Sequence, residues 1–242
     1  MYQEILKYFK IKKFINNLKP INCNMNSKWF KMEKEKLKTG TTIVGLMGKD
    51  CVVLAADRRV TLAGRLVVDK KFHKILEIDD NLIVAMTGSV SDAQLFTRYL
   101  RANLKLNELK RTRKNDIKES VNFLANMLYG SARQFIPSIV GFLVAGRDSK
   151  GVHLYEVGSD GSVVQYEDYV ADGSGMMYAT GTLEANYKEG IQSQQLVKLA
   201  VQAVNSAMQR DTASGNGVEV YLITKDKIKK VFEKEINSVI SA

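Results

Sequence analysis

The chain has 242 residues, of which 45% are hydrophobic, and its formal net charge at pH 7 is +10. This composition supports a sizeable core. No apolar run approaches the roughly 18 residues that a membrane span needs, so a protein that crosses a membrane with a helix is excluded. The charge is uneven: residues 1–40 hold ten Lys and three Glu, whereas residues 41–242 hold 26 Lys and Arg against 23 Asp and Glu.

The basic character therefore belongs to an N-terminal arm. The body has no RNP motif, zinc spacing or arginine-rich helix, so we expect no nucleic-acid binding. Residues 1–19 place apolar residues at mostly helical spacing among lysines, which leaves open a membrane-surface or targeting helix, a mobile extension, or a stretch upstream of a later start at Met25 or Met32. Cys23 and Cys51 lie on either side of the arm's end, which indicates reduced thiols and a cytoplasmic protein.

The junction between arm and body, residues 38–45, predicts a processing site. Cleavage between Gly40 and Thr41 gives Thr41 a hydroxyl nucleophile and a free α-amine on one residue. The reference pKa of such an amine is about 7.7 to 8.0, near working pH, whereas that of a lysine is about 10.4. A Gly-Thr-Thr triplet by itself more often begins a strand, so the hypothesis needs support from other residues.

Short strands follow the junction. Residues 42–47 and 51–56 are apolar runs, and the second does not alternate, so we expect both of its faces to be covered. It ends on Asp57. The next strand, residues 74–79, alternates and places Lys74 toward an apolar side. There a lysine either reaches back to solvent at the sheet margin or has a lowered pKa and a partner such as Asp57.

Beyond residue 80 the sequence predicts groups of strands separated by groups of helices. Strands are predicted at 82–86, 139–145, 152–157, 162–170 and 219–224, and helices at 91–111, 117–135, from 176 onward and at 193–210.

The glycine-rich run at 172–175 fails the phosphate-loop pattern because Tyr178 occupies the third glycine position. This order predicts an α+β fold, a four-layer αββα sandwich of two antiparallel sheets flanked by helices. Several candidate polar residues fall at element ends, where they can converge: Thr41, Asp57, Lys74, Ser174, Asp211 and Ser214.

Four sequence runs, at residues 40–45, 56–61, 172–175 and 210–215, resemble the signatures of the proteasome β subunit in its archaeal form. The similarity covers about residues 39–226. It implies the N-terminal nucleophile hydrolase fold and a threonine peptidase that uses no metal or cofactor. It also implies that residues 1–40 are a leader removed by autoprocessing and that residues 41–242 form the hydrolase domain.

The same resemblance assigns roles to single residues. Thr41 is the nucleophile, released at Gly40, and Asp57 and Lys74 form a buried ion pair beside it. The environment of the α-amine is set by Ser174, Asp211 and Ser214, and the Gly88 N–H binds the oxyanion. The match at Lys74 requires one extra residue after Thr61; without it, His73 would take that position.

The resemblance also predicts substrate preference. The specificity pocket maps to Val60, Leu76, Met86 and Val90, which are all apolar. An apolar pocket favours cleavage after large hydrophobic residues, because a charged side chain would be desolvated there without a partner. The extra residue brings Phe72 near this pocket.

Assembly and access to substrate follow from the family. It implies homo-heptameric β rings stacked on proteasome α subunits, with unfolded polypeptide supplied by a separate ATP-dependent unfoldase; the chain itself has no ATP-binding motif. HslV-like peptidases share the Thr-Thr start but lack a run like residues 211–215. The other alternative is a catalytically silent β subunit of the same ring, which loss of Thr41, Asp57 or Lys74 would favour; all three are present.

Overall fold

The computed structural model describes residues 40–236. The predicted helix at residues 1–19, the leader up to residue 39 and Cys23 lie outside the described residues. Within them, the strands in chain order are β1 (Thr42–Met47), β2 (Cys51–Asp57), β3 (Val60–Leu62), β4 (Leu66–Asp69), β5 (Ile75–Asp79), β6 (Leu82–Gly88), β7 (Val140–Asp148), β8 (Gly151–Val157), β9 (Val163–Tyr166), β10 (Tyr169–Gly173), β11 (Gly217–Thr224) and β12 (Ile228–Glu235). The helices are α1 (Val90–Arg111), α2 (Ile117–Ala132), α3 (Met176–Asn186) and α4 (Ser193–Met208).

Two five-stranded antiparallel sheets form the centre of the fold. The first sheet has the order β10-β1-β2-β11-β12 and the second has the order β5-β6-β7-β8-β9. Helices α1 and α2 cover the outer face of the second sheet, while α3 and α4 cover the outer face of the first. The predicted α+β architecture, a four-layer αββα sandwich, is therefore confirmed.

The apolar run of β2 shows why the sandwich has these layers. All seven of its residues are buried. Val52 and Leu54 belong to the core between the two sheets, whereas Val53 and Ala55 pack under α3 and α4. A strand covered on both faces needs no polar alternation, as its sequence predicts.

The helices bury one face each. In α4 the fully buried positions recur at helical spacing, with Leu196, Ala200, Ala203, Val204 and Ala207 all pointing into the core. This stripe packs on the first sheet and holds in place the chain segment that follows α4.

Three local features differ from what the sequence predicted. The predicted single strand at 162–170 is two strands, β9 and β10, that lie in different sheets, because the chain crosses from one sheet to the other near Asp168. The small β3–β4 hairpin was not predicted; its turn contains Ala63 and Gly64 at positive φ. Helix α2 ends at Ala132, three residues earlier than predicted.

Candidate active site

Thr41 lies buried immediately before β1. Its Oγ1 donates a hydrogen bond of 2.7 Å to the carbonyl oxygen of Gly40. The Gly40 N–H donates to Thr61 Oγ1 at 3.0 Å. A Cβ at residue 40 would lie 1.8 Å from the Cβ of Ala213, so only glycine fits here without a shift of the backbone. The threonine hydroxyl therefore lies against the carbonyl group of the predicted cleavage site.

A buried ion pair stands beside this junction. Asp57 ends β2 and Lys74 directly precedes β5, and Lys74 Nζ lies 2.6 Å from Asp57 Oδ1. The same oxygen accepts the N–H of Thr42 at 2.8 Å. The other, Oδ2, accepts the N–H groups of Arg59 at 3.0 Å and Gly215 at 2.9 Å. With four donors the carboxylate is satisfied, and its orientation is fixed by backbone groups.

The electrostatic environment of Lys74 favours proton exchange. Burial lowers the pKa of Lys74 below its usual value because the ammonium loses its hydration, while the negative charges of Asp57, Asp211 and Glu219 act in the opposite direction. The Nζ also donates to the carbonyl oxygen of Gly40 at 3.4 Å. Lys74 is thus within reach of the reacting groups and is easier to deprotonate than a lysine in water.

A chain of hydroxyl groups surrounds the Thr41 nitrogen. Asp211 Oδ2 accepts from Ser174 Oγ at 2.5 Å and from Ser214 Oγ at 2.6 Å. Because each serine has one hydroxyl hydrogen, Ser214 must accept from Thr42 Oγ1 (2.7 Å) and Ser174 must accept from the Thr41 N–H (3.2 Å). The two serines therefore link the nitrogen and the neighbouring threonine to one carboxylate.

Gly88, at the end of β6, faces the same site. Its φ is +87°, a conformation that a residue with a side chain rarely adopts. A Cβ at this position would also lie 2.2 Å from the carbonyl oxygen of Ile139. A side chain here would disturb the junction of β6 with β7, and Gly88 lines the cleft beside Thr41.

A narrow apolar cleft opens beside Thr41. Its residues come from several elements: Gly40, Thr41, Val60, Phe72, Lys74, Met86, Gly88 and Val90. The cleft includes three of the four predicted pocket residues and also Phe72, whereas Leu76 packs against the core under α1 and α2. The cavity volume is about 10 Å³, close to the space of one water molecule.

Other kinds of site are not found in the described part of the chain. Across residues 40–236, no group of three or more His, Cys, Asp or Glu side chains is arranged to hold a metal ion. No helix in that same range is long and apolar enough to cross a membrane. Cys51 is a free, buried thiol, and burial raises its pKa.

Comparison with known proteins decides the family. The family model described as proteasome subunit matches residues 37–223. The chain belongs to the proteasome subunit family. It is 38% identical over 210 residues to the proteasome subunit beta of Methanopyrus kandleri, covering 86% of this chain and 99% of that protein. It is 39% identical over 193 residues to the proteasome subunit beta of Nanoarchaeum equitans, covering 79% and 97%. These relatives make it an archaeal-type β subunit.

In this proteasome subunit, His73 and Lys74 were the two residues expected near Asp57. Lys74 contacts Asp57, whereas the His73 ring lies between Glu219 and Arg58.

Sequence analysis missed Glu219. This carboxylate is fully buried on β11 and accepts the backbone N–H of Lys74 at 2.8 Å. A signal was present, because Glu219 is the one charged residue in the otherwise apolar and hydroxyl-bearing run of β11. A lone acidic residue in such a strand needs buried donors.

Proposed function

We propose that this proteasome β subunit is a threonine endopeptidase that activates itself by cleaving between Gly40 and Thr41. The observation that carries the proposal is the convergence of the Thr41 hydroxyl, the Gly40 carbonyl and the buried Lys74–Asp57 pair. Thr41 Oγ1 lies 2.7 Å from the carbonyl oxygen and Lys74 Nζ lies 2.6 Å from Asp57. A nucleophile, its target carbonyl and a group suited to proton transfer are thus in contact.

Self-activation occurs in two steps. Thr41 Oγ attacks the Gly40 carbonyl carbon, the bond from that carbon to the Thr41 nitrogen breaks, and an ester forms while the nitrogen gains a proton. Water then hydrolyses the ester, which leaves a carboxylate on Gly40 and both a hydroxyl and a free amine on Thr41. Residues 1–40 are the leader that is removed, and residues 41–242 form the mature hydrolase domain.

Peptide hydrolysis uses the same residues. Thr41 Oγ attacks the substrate carbonyl carbon, the scissile C–N bond breaks, and the amine product leaves with the hydroxyl proton, which the Thr41 amine and Lys74 relay. Water then hydrolyses the acyl-enzyme ester, which releases the carboxylate product and restores the Thr41 hydroxyl. We assign Ser174, Asp211 and Ser214 to holding the amine, on the strength of their hydrogen-bonded chain to the Thr41 nitrogen. We assign the backbone N–H of Gly88 to stabilising the oxyanion, a contact whose loss costs about 10²- to 10³-fold in rate in enzymes of this kind.

The partners follow from the family. We propose a homo-heptameric β ring stacked on proteasome α subunits in the cytoplasm, with unfolded polypeptide delivered by an ATP-dependent unfoldase. Co-expression with the α subunit followed by size-exclusion chromatography and particle imaging measures this assembly. A chain that remains monomeric beside its α partner contradicts it.

Cleavage preference depends on the cleft beside Thr41. We propose that Val60, Met86 and Val90 accept a large hydrophobic side chain, with Leu76 supporting the wall from the core. Fluorogenic peptides ending in Leu, Tyr, Arg or Glu, assayed on the processed particle, compare the classes directly. Dominant cleavage after Arg or Glu contradicts this preference and indicates that a charged side chain reaches the cleft.

The test of the proposal is the N-terminus of the assembled protein. Intact-mass measurement should show a chain that begins at Thr41, and Thr41→Ala should retain the leader and hydrolyse no peptide. Thr41→Ser keeps a hydroxyl and should keep both reactions at a reduced rate. An assembled wild-type chain that still carries residue 40 would identify a silent, structural β subunit.

A further inference from the structure

Glu219 is a buried charged residue that has no role in the proposed peptidase mechanism. It lies on β11 of the first sheet and its side chain has no exposed surface. Burial of an unpaired carboxylate costs several kcal/mol, so its contacts identify what it holds.

All of these contacts are with the segment that carries Lys74. Glu219 Oε1 accepts two backbone N–H groups, from Lys74 at 2.8 Å and from Ile75 at 3.0 Å. Glu219 Oε2 lies 2.8 Å from His73 Nδ1. One carboxylate therefore contacts three consecutive residues.

The tautomer of His73 follows from its other neighbour. Arg58 Nη2 lies 3.3 Å from His73 Nε2, and because a guanidinium can only donate, Nε2 must accept. The ring proton is then on Nδ1, which donates to Glu219. Every group around Glu219 is a donor, as an ionised carboxylate requires.

The position of β11 explains how the contacts of Glu219 act on Lys74. Strand β5 is at the edge of the second sheet, where Met86 N donates to the Lys74 carbonyl at 3.0 Å. Strands β11 and β2 are neighbours in the first sheet, with Glu219 paired to Ala56, the residue before Asp57. Asp57 holds the side chain of Lys74 and Glu219 holds its backbone, both from the same sheet.

We propose that Glu219 is a positioning residue that fixes Lys74 against Asp57 and Thr41 by fastening its backbone. This inference depends on the proposed peptidase function. It predicts that loss of the Oε1 acceptor lowers the rate of the chemical step, because small displacements of a catalytic group cost up to about 10²-fold.

The experiment compares Glu219→Ala, Glu219→Gln and wild type in the assembled particle. Glu219→Gln retains an oxygen for the two backbone N–H groups and should keep most of kcat, whereas Glu219→Ala should lose about 10²-fold in kcat with little change in KM. The charged groups that act on Lys74 are Asp57, Asp211 and Glu219. Because the charge of Glu219 raises the pKa of Lys74, both variants should move the Lys74 limb of the pH–rate profile to lower pH.

Val220→Ala is the matched control for stability alone. Val220 is the next residue on β11 and is also fully buried, but it packs in the core under α3 and α4. It should lower Tm while kcat and the pH profile stay as in wild type. A Glu219→Ala particle whose kcat, KM and pH profile equal those of Val220→Ala overturns the proposal.

Two further outcomes separate this inference from the proposed function. If wild type shows no hydrolysis that depends on Thr41, the proposed function fails. If wild type is active and Glu219→Ala does not assemble, Glu219→Asp decides: its shorter side chain keeps the charge but draws the carboxylate back from the two backbone N–H groups. A kcat well below that of Glu219→Gln supports the positioning role, and a kcat equal to that of wild type overturns it.

Discussion

The site has two halves that are held together in different ways. Both carboxylate oxygens of Asp57 have partners: they accept four hydrogen bonds, three from backbone groups and one from Lys74. The cleft of Val60, Phe72, Met86 and Val90 is lined by apolar side chains and depends on packing. Hydrogen bonds fix orientation, whereas packing fixes only volume. The polar half should therefore fail abruptly on substitution and the apolar half should change gradually.

Lys74→Ala is the strongest test of the polar half. Loss of the amine should reduce peptide hydrolysis by about 10²- to 10⁴-fold, the usual contribution of a positioned acid or base. His73→Ala should be mild, because the His73 ring contacts Glu219 Oε2 and leaves the Oε1 contacts to the backbone in place. Steady-state kinetics on the processed particle measures both. A severe His73 variant beside an active Lys74 variant would contradict the pairing of Lys74 with Asp57.

Asp57→Ala tests the same half through stability. It leaves Lys74 buried without its counter-ion, which should cost about 3 to 5 kcal/mol in free energy of unfolding. The loss should shrink as pH rises toward the lowered pKa of Lys74 in the folded wild type and should then level off, because the penalty falls on the protonated amine. Urea unfolding of wild type and variant at several pH values measures this loss in free energy of unfolding.

A surface pair supplies the control for Asp57. Asp50 lies 3.4 Å from Lys225, and both side chains are 65% exposed. Asp50→Ala should change the free energy of unfolding by less than about 0.5 kcal/mol. Equal effects of the Asp50 and Asp57 variants would show that the buried pair is not a special feature of the site.

Phe72→Ala probes the apolar half. Removing this ring should enlarge the cleft and raise kcat/KM for peptides ending in Tyr or Leu by about tenfold, since pocket size discriminates by about 1 to 3 kcal/mol. Phe135→Ala is the control, because its ring is 89% exposed and far from any packed core. Unchanged selectivity in the Phe72 variant would mean that the cleft widens by moving another wall.

The smallest effect is expected at the connection between α1 and α2. Arg113 hydrogen-bonds Glu119 at 2.8 Å and lowers the pKa of Glu119 to about 2. The stabilisation from Glu119 is thus present above pH 4.5 and is lost as pH falls toward 2. Because the pair is exposed, Glu119→Gln should lower Tm only slightly, and high salt should remove the difference. A loss that persists in high salt would contradict a screened surface pair.

The same division explains what could be predicted from sequence. The pattern placed Lys74 on an apolar side but left its partner open, and the family resemblance paired it with Asp57; the two side chains are in contact in the structure. A buried charge demands a partner, which narrows the choice of residues. The cleft was predicted less fully: three of the four expected residues and Phe72 line it, whereas Leu76 packs against the helix-side core. Apolar side chains carry no directional demand, so only the packed structure decides which of them line a wall.

Two backbone features were also beyond the sequence pattern. Residues 162–170 are rich in Val and Tyr and contain no glycine or proline, so no turn residue marks the point near Asp168 where the chain leaves the second sheet for the first. Glu219 was assigned to an ordinary strand. Its position as the one charged residue of β11 showed that it needs buried donors, but two of these donors are backbone N–H groups, which the sequence does not single out.

The close fit at Gly40 has a practical consequence. The contact with Ala213 admits no side chain at this one position, whereas the proposed cleavage breaks only the bond between Gly40 and Thr41. A foreign polypeptide joined ahead of Gly40 should therefore be released during maturation and leave no added residue on the enzyme. The junction would serve as a traceless fusion point. Each released polypeptide would report that one subunit has become active.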